Sequence, residues 1–320
     1  MYLALISLHI NMRISALLLY VLVTFVILSA CKTTQVNKAL GDKYCAPSTD
    51  FHYEMNTRPL WNTDSLLAAN SAIPAHEVIT ANATGVLPLM QQLAMAGNDS
   101  SVATRLQKDE LRLKIQHHIL RASTEIASLA AELDCEGERA DQLGRYLDNQ
   151  NSKKTTRLTV GSIIAGALST VASVVIENKG AQNAAVIGGG LVAAGLSILI
   201  INPAGKKLAV NHPRNLLTDI WYRPAVSATY SPFLWYVLNE KRFSYSGKAS
   251  LAENIKKRWV EFEFGNSIDA KTEKLLFGQG GAYKAGDLHT RADMLNELQS
   301  TIRSINQDLQ NLMEYLGRFH

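Results

Sequence analysis

Two segments without a charged side chain lie back to back near the middle of this 320-residue chain, and they limit its folds more than any other feature. Residues 158–176 read LTVGSIIAGALSTVASVVI. A polar break, Glu177-Asn178-Lys179-Gly180, follows, and residues 180–205 are again uncharged. Lys153, Lys154 and Arg157 precede the first segment, and Lys206 and Lys207 follow the second. This pattern predicts a helical hairpin over 157–205 with a basic open end. About 20 helical residues at 1.5 Å each span roughly 30 Å, one bilayer hydrocarbon core.

Small residues recur in the hairpin every fourth position: Gly161, Ala165, Ser169 and Ser173, then Ala185, Gly189, Ala193 and Ser197. Such spacing keeps them on one side of each helix and lets two backbones approach closely. Glycine costs about 0.8–1.0 kcal/mol against alanine in a helix, so the run Gly188-Gly189-Gly190 needs a reason such as close approach. Two fates fit. The hairpin enters a membrane or lines an oligomeric channel, or it forms the packed centre of a soluble bundle.

Residues 14–30, ISALLLYVLVTFVILSA, follow Met12-Arg13 and read as a secretory signal whose start is expected at Met12. The run closes on Leu28-Ser29-Ala30-Cys31. This resembles the lipobox of bacterial lipoproteins. The resemblance implies diacylglycerol on the Cys31 sulfur, cleavage before Cys31 and acylation of the new amine, with covalent lipid and no other cofactor. Lys32 stands where an aspartate would resemble an inner-membrane retention signal, so the expected address is the outer membrane, facing the periplasm. With Cys31 lipidated, Cys45 and Cys135 remain as an even pair in an oxidising compartment. A disulfide between them closes a loop of about 90 residues, worth on the order of 4–5 kcal/mol in the chain-entropy model; two free buried thiols are the other reading.

The rest reads as helix. Residues 59–71 and 75–96 are expected as short helices, the second broken or kinked at Pro88. Within 101–134, Ile115, Ile119, Ala122, Ile126, Leu129 and Leu133 alternate steps of four and three, a heptad seam. Gly137 is expected to interrupt this helix, with Leu143 and Leu147 continuing it. Near the C-terminus Leu288, Leu295, Ile302, Leu309 and Leu316 recur every seven residues, with Leu298, Ile305 and Leu312 between them and Arg291 breaking that second row. Its simplest partner is the 101–134 helix of the same chain, and a second chain is the alternative. Ser250 and Glu253 form a capping box opening a helix over 251–263, and Ser231-Pro232 opens another.

Eight of the chain's 23 aromatic residues fall within 221–245. Trp221, Tyr222, Tyr230, Phe233, Trp235 and Tyr236 are therefore candidates for an interface with lipid or protein, against a second small core as the plainer reading. A net charge of +4, with basic residues scattered among acidic ones, does not support nucleic-acid binding. Catalytic signatures are missing: no G-x-S-x-G, H-E-x-x-H or P-loop occurs. His117 and His118 are adjacent on a helix and point apart, and they read as solvated surface, while His76-Glu77 starts a helix and reads as capping or surface. Gly278-Gln279-Gly280-Gly281 reads as a loop, and Glu261 and Glu263 do not converge as a hydrolase pair. No metal ligand set is evident.

The expectation is a mostly α fold: a lipid-tethered helical bundle with coiled-coil-like long helices and a central Gly/Ala-rich helical hairpin. Its segments are a signal peptide (1–30), a lipidated tether (31–58), a helical region (59–156), the hairpin (157–205), an aromatic, proline-marked connector (206–247) and a helical region ending in the heptad helix (248–320). The function that fits best is a non-enzymatic lipoprotein of a cell-envelope assembly, with the membrane and a protein partner or a second copy as its contacts. The layout of helix, apolar hairpin and helix is also similar, in architecture alone, to helical pore-forming toxins. An envelope-glycan-binding protein or hydrolase is the third class.

Overall fold

The computed structural model describes residue 45 and residues 58–96, 101–176, 178–201 and 205–318. The signal segment, the lipobox with Cys31 and most of the tether lie outside the described residues. The chain is mostly helical. Among the described residues three short helices come first: α1 (Thr63–Ala69), α2 (Ala75–Thr84) and α3 (Leu87–Met95). Next comes α4 (Val102–Val175), one 74-residue helix, and then α5 (Lys179–Ile201). The remainder is β1 (Leu208–Asn211), α6 (Thr218–Tyr222), α7 (Pro232–Asn239), α8 (Leu251–Arg258), α9 (Ala270–Phe277), β2 (Gly280–Tyr283) and α10 (Ala285–Gly317).

The heptad rows meet as an antiparallel pair within the chain. On α10, Leu288, Leu295, Leu298, Ile302, Ile305, Leu309 and Leu312 are all buried, and so is the α4 row from Ile115 to Leu133. Polar links mark the register along the seam. Ser123 Oγ donates to Asn306 Oδ1 (3.3 Å), and Gln299 Nε2 donates to Asp134 Oδ1 (2.7 Å). His289 bridges Asp141 and Asp148, each at 2.9 Å. Fully burying a Leu or Ile is worth about 1.5–3 kcal/mol, so this seam is the largest apolar contribution along the body.

Three boundaries differ from the sequence reading. Gly137 does not interrupt α4. A Cβ there would lie 2.7 Å from Asn296 Oδ1 and 3.6 Å from Leu295 Cβ, so the glycine admits α10 rather than ending α4. The 75–96 stretch breaks at Gly85, not at Pro88. Gly85 is left-handed (φ 71°), and Pro88 sits in the first turn of α3, where its missing N–H costs nothing. The 251–263 helix keeps its capping box, with Glu253 N donating to Ser250 Oγ (3.2 Å) and Ser250 N donating to Glu253 Oε2 (2.8 Å). It changes to a wider turn over Trp259–Glu263 before Gly265.

The glycine-rich 278–281 stretch is not only a loop. Gly280–Tyr283 pairs antiparallel with Leu208–Asn211, Leu208 opposite Tyr283. This small sheet closes the connector that leaves the hairpin onto the start of α10. Cys45 and Cys135 are joined in a disulfide, Cα atoms 5.6 Å apart, which fastens the segment ahead of α1 to the middle of α4.

Candidate functional site

Beyond residue 157, α4 packs against α5. The two uncharged stretches form an antiparallel hairpin. Its internal face is the one the small residues predict. A Cβ on Gly189 would lie 2.6 Å from Ser169 Cβ and 3.3 Å from the Ala165 carbonyl oxygen. Ser169 Oγ donates to Val186 O (3.3 Å), and Gln182 Nε2 donates to Ser173 O. Near the base, Gly161 faces Leu196. Gly161, Ala165, Ser169, Ser173, Ala185, Gly189 and Ala193 are all partly covered in this way, whereas Ser197 is exposed. The correction is geometric. Each step of four advances 400° around a 3.6-residue turn, so the row drifts by about 40° per step and Leu196 takes the inner place by the fourth. A Cβ on Gly188 or Gly190 would meet nothing within 4 Å outside its own helix, so of the triple glycine only Gly189 serves the contact.

The outer faces are apolar and uncovered. Val160, Ile163, Ile164, Leu168, Val171 and Val174 on α4 are 49–82% exposed. Val186, Ile187, Leu191, Ile198 and Leu199 on α5 are 40–69% exposed. No residue of either 18-residue apolar stretch is buried, so the hairpin is not the packed centre of the bundle. Monomeric soluble domains rarely leave a patch of this extent in water.

The hydroxyl groups inside the hairpin are already satisfied. All six hydroxyls between residues 158 and 201 bond backbone carbonyls of the hairpin itself or of the turn before it. Thr159 Oγ1 donates to Thr155 O, Ser162 Oγ to Thr159 O, Thr170 Oγ1 to Gly166 O, Ser173 Oγ to Thr170 O and Ser197 Oγ to Ala193 O, all within 3.0 Å, alongside the Ser169 bond. At the turn, Asn178 Oδ1 accepts from Gly180 N and Ala181 N at 3.0 and 3.2 Å, capping α5. Internal satisfaction of this kind is what a low-dielectric surrounding demands.

The aromatic candidates follow the plainer reading, a second small core, in all but one case. Trp221, Tyr230, Phe233, Trp235 and Tyr236 are 0–7% exposed and form a second core; only Tyr222, 55% exposed, keeps a surface position. Trp221 stacks on Phe277 at 4.1 Å between centroids, and Tyr230 stacks on Trp235 at 5.7 Å. The cause lies in the Ser231-Pro232 start. Leu234 N donates to Ser231 Oγ (3.1 Å), and the eight-residue helix that follows is apolar on nearly every face and must be covered.

Two histidine readings also change. His118 Nδ1 contacts Thr84 O (3.0 Å), so of the two only His117 is exposed helix surface. His76 Nε2 pairs with Asp308 Oδ1 (2.8 Å), and this bond holds its pKa above the ordinary histidine value. A bond to Asp148, with Asp141 on the other nitrogen, raises His289 likewise.

Sequence reasoning passed over one buried polar cluster. His212 Nε2 is 2.9 Å from Tyr283 Oη, which donates onward to Leu275 O (2.6 Å). Burial, with the Arg291 and Arg139 guanidiniums nearby, pushes His212 down to about 2, and burial pushes Tyr283 up to about 12. Arg291, the residue that breaks the heptad row, is 1% exposed and donates to Asn215 Oδ1 (3.2 Å) and Leu276 O (3.0 Å). Its chemistry is structural: it welds α10 to α9 and to the chain after β1. The clue in the sequence was a single charge in an apolar row. A cleft of about 620 Å³ lies along α4 beside Cys135, but its Asp134 and Arg139 are engaged with Gln299 and Glu136. Among the described residues no three His, Cys, Asp or Glu side chains converge on a metal position.

No protein-family model, no curated protein and no solved structure matches the chain.

Proposed function

We propose that this chain is a lipid-tethered, non-catalytic protein of the bacterial cell envelope, expected at the outer membrane, that enters the bilayer with the 158–201 hairpin. The observation that carries the reading is the hairpin itself. It is apolar on its outer faces, uncovered by the body and hydrogen-bonded within itself. The first arm runs helical from residue 158 to Val175 and the second is a helix of 23 residues; at 1.5 Å per residue these are about 27 and 35 Å, within the range that crosses one hydrocarbon core. The lipid expected on Cys31 already supplies a tether, so the hairpin's role is to position the helical body, and the partners that body contacts, against the membrane.

Trypsin tests this reading. The hairpin is bracketed by Arg157 and Lys206, and Lys179 marks its tip. In vesicles, cleavage after Lys179 should be suppressed and a fragment bounded by the two basic ends should stay with the membrane. Equal cleavage at Lys179 with and without vesicles counts against the reading.

A pore or self-associating hairpin is the second reading, favoured by one observation. Gly166, Gly188, Gly190 and Gly195 have no neighbour within 4 Å, so small residues remain free outside the internal contact. Gly195→Leu should abolish vesicle leakage if copies pack there. Leakage unaffected by it, or absent from wild type, removes this reading.

A further inference from the structure

We propose that His289 is a proton-operated latch that fastens the stem of the hairpin to the start of α10. Protonated, its ring donates to Asp141 and Asp148 at once. With one proton lost, one of the two bonds goes and the end of the α4–α10 seam loosens. The latch belongs to the helical body and does not require the hairpin to be in a membrane.

The geometry fits one protonation state. His289 Nδ1 lies 2.9 Å from Asp141 Oδ1, and Nε2 lies 2.9 Å from Asp148 Oδ2. An ionised carboxylate only accepts, so both ring nitrogens must donate, and an imidazole with two N–H groups is a cation. The stem is shaped for the ring. A Cβ on Gly144 would lie 2.7 Å from Cε1, 2.9 Å from Nε2 and 3.0 Å from Nδ1 of His289, so the ring rests against bare α4 backbone between the two carboxylates. Glycine weakens a helix interior, and this one admits the ring.

The charges that meet the ring come from α4: Asp141, Asp148 and, held to Asp141 Oδ2 at 2.5 Å, Arg145. On α10 itself Asp287 accepts from Lys284 N (2.9 Å), and Asp293 acts on Glu263. The bond to Asp148 is the main cause that raises the ring above its ordinary value of 6.5, with Asp141 adding to it and partial burial opposing. The latch is therefore closed below pH 6.5 and opens as pH rises through the folded value.

Position decides what the latch moves. The other polar links along the seam, Ser123 with Asn306 and Gln299 with Asp134, contain no histidine, and the His289 link is the nearest of the three to the hairpin. From Asp148 to Leu158, where the uncharged stretch begins, α4 rises about 15 Å. The α10 side is fixed independently, because Arg291 is bonded to Asn215 Oδ1 and to the Leu276 carbonyl. The stem is thus the part that moves. Ala140 and Leu147 stay buried on it, so an open latch loosens the end of the seam without unfolding it.

Hydrogen exchange on the full-length protein tests this, with protection corrected for the intrinsic effect of pH. From about pH 6.5 to about pH 8.5, protection over 141–157 should fall at least about fivefold relative to 115–133 on the same helix. His289→Asn should show the lower protection at both pH values. Gly144→Ala pushes the ring off the stem while favouring the helix, and it should also lose the pH dependence. His76→Asn, which removes the other raised histidine, should keep it. Nitrogen-15 spectra should show a proton on both ring nitrogens of His289 at the lower pH. Protection over 141–157 that does not change relative to 115–133, a pH dependence that survives either His289→Asn or Gly144→Ala, or a ring with one bare nitrogen at the lower pH overturns the latch.

Discussion

The two halves of α4 are one continuous helix with two different surfaces. From Ile115 to Leu133 its large apolar residues sit in one stripe that α10 covers, and charged residues fill the other face. From Val160 to Val175 its apolar residues spread beyond the one face that α5 covers, and no charge is present. Helix propensity does not separate them. The difference lies in the angular spread of apolar residues, and it teaches that a helix declares its solvent by how many of its faces are apolar.

The largest effect should come from truncating the same residue type in each half. Leu133 is fully buried, so Leu133→Ala should lower the unfolding free energy by about 2–5 kcal/mol in a denaturant melt. Leu168, 64% exposed, should change it by less than about 0.5 kcal/mol when truncated in water. Comparable losses at both sites would mean the hairpin is covered by something the account does not contain.

Acid should also act on one half alone. His212 is held neutral in the fold, down to about 2, whereas the unfolded chain protonates near 6.5. Its contribution is therefore present above pH 6.5 and lost as pH falls below it. Between pH 6.5 and 4.5 the body should lose about 2–3 kcal/mol, measured by melts across pH. His212→Gln should flatten that slope. The hairpin has no titratable group over 158–176 or 180–201, so its insertion into neutral vesicles should not follow this curve.

A packing change within the hairpin should be smaller and local. Gly189→Leu forces a side chain against Ser169 and should part the two arms at a cost of about 1–3 kcal/mol to their pairing. Spin labels at Ile163 and Ile198 would read the separation. Gly190→Leu, facing open space, should leave it unchanged.

The smallest effect concerns His76 and His289, both raised by aspartate partners. Their help is full below pH 6.5 and is lost as pH rises through their folded values. The body should therefore soften slightly towards pH 8, and His289→Asn should remove part of that softening. No change in the melting profile between pH 6 and 8 would contradict this.

Much of the frame was legible in the sequence because it depends on period. The heptad rows on α4 and α10, the capping box at Ser250 and the hairpin all follow from spacing within one element. What was not legible depends on a neighbour. Gly137 reads as a helix breaker until Asn296 is known to press on it. Arg291 reads as a flaw in a row until Asn215 and the Leu276 carbonyl meet it. The strands are four residues each, and β2 opens on two glycines, so neither announces itself in the sequence. For the candidate site, spacing predicted the inner face of the hairpin down to Ser197, where helical drift takes over. Whether the outer face is covered is a property of the whole fold, and no spacing within 158–205 encodes it. The aromatic cluster left two readings open in the sequence, since richness in Trp and Tyr marks cores and interfaces alike, and the core reading is the one the fold takes for all but Tyr222.

The central claim is that one end of α4 lives in water against α10 and the other in hydrocarbon. The most direct measurement is photolabelling of the reconstituted protein with a carbene precursor placed in the lipid tails, read by peptide mapping. The account predicts labels concentrated within 158–201 and none over 115–133. Labels absent from 158–201, or spread equally over the α4 seam, would contradict it.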